Sequence, residues 1–156
     1  DLAGAKDTVR ILSDLQNAYR REQALQKALG AENERIVRRA YHALSQGDAE
    51  QLGTLMTEAQ RIFDERVRPC SPEQLASPKL RAILGMQEIA EHIHGGKGVG
   101  SQGDGTAQLV ARSAADREAA MQKIHDSCPP MRCFPLTIEP ASTRLSRSAV
   151  AGEGSV

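Results

Sequence analysis

Between Gly95 and Gly105 the chain reads GGKGVGSQGDG, so six of these eleven residues are glycine. Glycine adopts φ > 0 without a side-chain clash and lets a backbone come close to a ligand or to another backbone. A run of this kind can turn successive N–H groups inward as an anion nest, the arrangement that holds phosphate. The candidate contacts are Gly95, Gly96, Lys97, Gly98, Gly100, Ser101, Gly103 and Gly105, with Lys97 the single positive charge among them. The structural alternative is a glycine hinge between two elements.

Two familiar glycine motifs fail on context. Gly98-x-Gly100-x-x-Gly103 has the dinucleotide spacing, and Asp116 or Glu118 falls near the distance of a ribose-binding acid. That fingerprint leaves a strand and opens a helix, whereas here a helical pattern from Leu80 to Ile93 leads in and a strand-like TAQLV follows. A P-loop needs a glycine five residues before its Gly-Lys pair and a hydroxyl residue after it, and Glu91 and Gly98 stand there instead.

The elements that must position the run follow from hydrophobic period. Asp7 or Thr8 can cap a helix carrying Val9, Ile11, Leu12 and Leu15. Ile36, Val37, Ala40, Tyr41 and Leu44 repeat at helical spacing, Gly47-Asp48 punctuates, and Leu52, Leu55, Met56, Ala59, Ile62 and Phe63 form a second stripe, which predicts an antiparallel helical pair. Arg35, Arg38, Arg39, Glu58 and Arg61 read as its solvated faces. Ser71-Pro72-Glu73-Gln74 has capping-box spacing, and Ser77-Pro78 repeats the start signal ahead of a helix that aims its end at the glycines. Thr106 to Ala111 alternates as a strand, Ser113 with Asp116 opens another helix with Ala120, Met121 and Ile124 inward, and residues 132 to 138 read as a closing strand. This order predicts an α+β fold, a ferredoxin-like α/β sandwich with additional inserted helices. Residues 1–138 form the expected domain, and 139–156, rich in Ser, Arg, Ala and Gly, read as a tail or linker.

Composition narrows the function classes. The 156 residues are 40% hydrophobic and 26% charged, with 20 basic and 20 acidic side chains in balance. No global field draws the chain to nucleic acid or an anionic membrane, and neither partner is expected. No apolar run reaches the roughly 20 residues a membrane span requires, and no signal peptide opens the chain, so the sequence reads as cytoplasmic. Three cysteines argue against a disulfide framework. Cys128, Cys133 and His125 lie close in sequence but lack a second ligand pair, so no metal site is assigned to them. His92 and His94 read as a favourable end to the preceding helix.

Helix, GGKGVGSQGDG, apolar strand resembles the third conserved motif of the GHMP small-molecule kinases, the superfamily of galactokinase, homoserine kinase, mevalonate kinase and phosphomevalonate kinase. Gly95, Gly96 and Lys97 take the first three places of its G-A-K-x-[ST]-G-A-G-G-G-G pattern, and Gly100, Gly103 and Gly105 fall on later glycines. Val99, Gln102 and Asp104 depart from it, and an anionic Asp104 would repel a polyphosphate unless it faced a cation or solvent. The opening DLAGAKDT resembles the strand end and turn that begin the second half of sugar kinases in this superfamily.

The resemblance covers residues 1 to 138 and implies the C-terminal domain of an ATP-dependent sugar kinase that uses Mg²⁺, with Lys6, Asp7 and Thr8 as candidate sugar contacts beside the capping role. The superfamily's ATP loop, P-x-x-x-G-L-G-S-S-A, and its catalytic acid belong to the N-terminal half, so no catalytic residue is assigned here. The missing half is the expected partner, and the glycine run would pack on its ATP loop. An unpaired strand edge or bare apolar face could also drive a homo-oligomer. Two other classes stay open: a non-catalytic module that binds a phosphate metabolite, and a helical interaction module in which the glycines only turn.

Overall fold

The structure is a computed structural model that describes residues 1–136. The described residues form a mixed helix-and-strand fold with one small antiparallel sheet. The helices are α1 (Thr8–Tyr19), α2 (Gln23–Lys27), α3 (Asn33–Ser45), α4 (Ala49–Ile62), α5 (Pro78–Leu84), α6 (Gln87–Ala90) and α7 (Ala114–Ser127). The strands β1 (Ile93–Gly98) and β2 (Ala107–Ala111) form the sheet. No helix among the described residues is long and apolar enough to cross a membrane.

Local chemistry sets the start of α1, α4 and α7. Asp7 accepts from Arg10 N at 2.9 Å, Asp48 from Gln51 N at 2.9 Å, and Ser113 from Asp116 N at 3.0 Å, so each satisfies an amide that the first helical turn leaves unpaired. Gly47, at φ 69°, reverses the chain between α3 and α4 as the punctuation predicts. The second predicted start, Ser71 to Gln74, makes only a turn. There the Ser71 hydroxyl donates to Asp14 Oδ2 at 2.7 Å, tying the segment to α1 instead of capping a helix.

Two of the expected apolar stripes are divided. On α3, Ile36, Ala40 and Ala43 face the core, while Val37, Tyr41 and Leu44 stand 55%, 75% and 43% exposed one step around the helix. On α1, Ile11 is buried and Leu15 packs inward, whereas Val9 and Leu12 point outward.

The apolar side chains form two clusters. Leu25, Ile36, Leu55, Ile62 and Val67 centre the helical one, and Leu2, Leu80, Ile83, Ile89 and Ile124 centre the one beneath the hairpin. The seam between them is α4 lying on β1. β1 bonds to β2 along one edge, so Gly96 and Gly98 turn their amides to the other edge, where α4 receives them. Gln60 Oε1 accepts from Gly98 N at 2.8 Å in a buried contact, and Thr57 Oγ1 accepts from Gly96 N at 3.4 Å. A helix thus covers what would otherwise be an exposed strand edge. Gln60→Leu should therefore lower stability by about 1–3 kcal/mol, because it leaves a buried amide without an acceptor. Chemical denaturation of the two proteins measures the difference.

The hairpin also corrects the predicted approach to the glycines. The helical pattern from Leu80 to Ile93 breaks at Gly85, which ends α5, and Ile93 already belongs to β1. Residues 132–136 of the expected closing strand are not a strand, although Asp1 and Arg132 exchange both backbone hydrogen bonds at 2.9 Å. Residues 137 and 138, and the whole tail, lie outside the described residues.

Candidate functional site

The structure divides the glycine run in two. Gly95, Gly96, Lys97 and Gly98 are strand residues of β1, and the turn begins only at Val99. A Cβ on Gly95 would sit 2.2 Å from Gly53 O, and one on Gly96 would sit 2.5 Å from Leu109. Gly95 thus lets α4 approach the hairpin closely, and Gly96 leaves room for the Leu109 and Leu84 side chains. Lys97 donates from Nζ to the adjacent Gly98 carbonyl at 2.8 Å, and its partial burial pulls its pKa below the usual lysine value. The expected cation of the loop is thus on the strand, turned back on its own backbone.

The second half, from Val99 to Gly105, is the tip of the hairpin. Gly100, Gln102 and Gly103 have φ of 66°, 63° and 68°. Val99 N donates to Thr106 O at 3.0 Å and Gln102 N to Val99 O at 3.2 Å. The amides of Gly100, Ser101, Gly103, Asp104 and Gly105 meet no protein acceptor among the described residues.

The polar N-terminal residues gather at this tip. Lys6 Nζ donates to Gln102 O at 3.2 Å, and the Lys6 side chain lies over Gly103 and Gly105, where a Cβ on Gly105 would come within 2.9 Å of it. Thr8 Oγ1 and Ser101 Oγ are 3.3 Å apart. Lys6, Asp7, Thr8 and Gln74 also line an open depression of about 570 Å³ beside the tip. Asp7 Oδ1 serves the α1 cap, so the capping role read from the sequence is realised while the other carboxylate oxygen faces no assigned donor.

Two side chains that resist a phosphate reading have other work. Asp104 Oδ1 accepts from Leu80 N at 2.9 Å and so caps α5 from across the fold, in place of Ser77, whose own side chain makes no cap bond. Its charge thus lies at the positive end of that helix. Gln102 is 5% exposed and folds back over Gly98, its Oε1 2.3 Å from where a Gly98 Cβ would lie.

Sequence reading missed Gly53, Thr57 and Gln60. Their spacing of four and three places them on one helical face, but no apolar stripe marks it. His92 and His94 do not end a helix as expected, because α6 stops at Ala90. His92 Nδ1 lies 2.8 Å from Asp116 Oδ1 and ties the start of β1 to the first turn of α7. The hydrogen bonds from His92 and Ser113 hold the Asp116 carboxyl below the usual carboxylate range. A lowered folded-state pKa stabilises above the ordinary carboxylate pKa, and that contribution is lost as pH falls through the lowered value. Asp116→Asn should therefore flatten the acid limb of a stability-against-pH curve below about pH 4 while the neutral-to-basic limb keeps its shape.

No family profile, curated protein or solved structure matches this chain.

Proposed function

We propose that this chain is the C-terminal domain of an ATP-dependent small-molecule kinase of the GHMP type, acting on a sugar in the cytoplasm. On this reading the hairpin tip lies against the ATP phosphates in a cleft shared with an N-terminal half. The observation that carries the proposal is that the amides of Gly100, Ser101, Gly103, Asp104 and Gly105 have no acceptor among the described residues while the Lys6 ammonium lies over the same turn. Backbone N–H groups and one cation suit a polyanion, and holding phosphates in place is most of what phosphoryl transfer asks of a protein.

ATP, when bound, supplies the phosphoryl group. The amides would donate to its phosphate oxygens, Lys6 would offset part of their charge, and the Thr8 and Ser101 hydroxyls would fix their orientation. The free oxygen of Asp7 can accept from a sugar hydroxyl in the adjoining depression. Mg²⁺ would enter with ATP in the complete enzyme, held by phosphate oxygens, water and one or two carboxylates; the described residues bring no three metal-ligating side chains together, and none is assigned to it here. No step is routed through the ion. The proposal extends to the finer fold, a ferredoxin-like sandwich of which the β1–β2 hairpin and α7 would be parts.

The test is a covalent fusion in which an N-terminal half bearing the superfamily's ATP loop precedes Asp1. Sugar-stimulated ADP release is expected from the fusion across a panel of hexoses, pentoses and heptoses, and none above background from this chain alone. A folded fusion that binds ATP but consumes none with any sugar would overturn the kinase reading and favour a phosphate-binding module.

A further inference from the structure

β2 has a second edge. Thr106 and Arg112 bond across to Val99 and His92, so residues of that parity face β1, and Ala107, Leu109 and Ala111 turn their peptide groups outward. Those outward groups meet no partner among the described residues. At the end of this edge, Leu2 N donates to Gly105 O at 2.9 Å, which is the next group in the same row.

Asp1 and Leu2 already behave as one step of a middle strand. Leu2 faces Gly105, and Asp1, with the opposite parity, exchanges two 2.9 Å bonds with Arg132 on its other side. Gly4 and Thr8 meet Asp104 and Ser101, so the opening segment runs antiparallel to the β2 side of the hairpin. Side-chain parity agrees. Leu2, Ala107, Leu109 and Cys133 all pack toward the cluster beneath the sheet, while Phe134 and Leu136 stand 70% and 69% exposed on the other face. Pro135, which has no N–H, has the parity that faces away from the lane, as an outer edge strand tolerates.

We infer that the lane between β2 and residues 132–136 takes an extended polypeptide strand. It runs antiparallel to β2, with apolar side chains at the alternate positions opposite Ala107 and Leu109. The main chain of that strand would bond to β2 on one side and to residues 134 and 136 on the other, giving a four-stranded antiparallel sheet by β-strand addition. The inference does not rest on the kinase reading, since it uses backbone pairing alone.

The test places Lys-Val-Thr-Val-Thr-Val directly before Asp1, with a control extension carrying proline at each valine position, and follows amide hydrogen exchange by NMR. The amides of Leu109 and Ala111 should slow by about tenfold or more in the first protein and not in the control, while Gln108 and Val110, already bonded to β1, change by less than about twofold. Unchanged exchange at Leu109 and Ala111 in a folded, extended chain would overturn the inference. Concentration-dependent protection of these amides in the unextended chain, with a dimer in sedimentation, would also overturn it by assigning the lane to a second copy.

Discussion

Gly53→Val is expected to lower the thermal midpoint by roughly 10 °C or more, the largest stability effect foreseen for any single substitution in this chain. A Cβ at Gly53 would lie 2.5 Å from His94 Cβ, 2.7 Å from His94 C and 2.9 Å from Gly95 N. Two of those neighbours are backbone atoms, so α4 and β1 must separate, and the Thr57 and Gln60 bonds to Gly96 and Gly98 stretch with them. Overpacking alone costs about 1–3 kcal/mol, and the loosened amide bonds add to it, against a total of about 5–15 kcal/mol for an ordinary domain. Gly100→Ala is the control. Its Cβ meets nothing within 4 Å, so it bears only the cost of a side chain at φ 66°, about 1 kcal/mol. Equal midpoints for Gly53→Val and wild type would remove the seam as the join between the two clusters.

The helical framework was legible because its signals are local. Asp48, Ser113 and Pro78 start helices where cap chemistry places them, and Gly47 turns the chain between α3 and α4. What local pattern could not reveal was which of two adjacent stripes on α3 faces inward, since Ile36 and Val37 are equally apolar and only the packing of α4 chooses. The glycine run shows the same limit. Its composition suits a phosphate loop and a close helix–strand contact equally, and the partner that divides it, Gly53 on α4, lies more than forty residues upstream in a stretch that reads as an ordinary helix. At the candidate site, the family resemblance offered Lys6, Asp7 and Thr8 as sugar contacts, but nothing in the sequence placed Lys6 against Gln102 or Thr8 against Ser101, because contacts across more than ninety residues leave no local pattern. The capping of α5 by Asp104 was not anticipated, because a long-range cap has no sequence spacing.

Lys6→Glu is expected to abolish millimolar triphosphate binding. Its ammonium lies beside the turn that carries the unpaired amides, and reversal places a carboxylate there in its stead. The Asp7 cap of α1 does not involve this side chain, so the helix should keep its stability. The most direct measurement is a titration of the ¹⁵N-labelled chain with inorganic tripolyphosphate and with ATP at low and high salt. The account predicts saturable shifts centred on the amides of Gly100, Ser101, Gly103, Asp104 and Gly105, weakened by salt and lost in Lys6→Glu. Shifts centred instead on the basic depression lined by Arg38, Arg39 and His42, or shifts at the tip that survive Lys6→Glu unchanged, would contradict it.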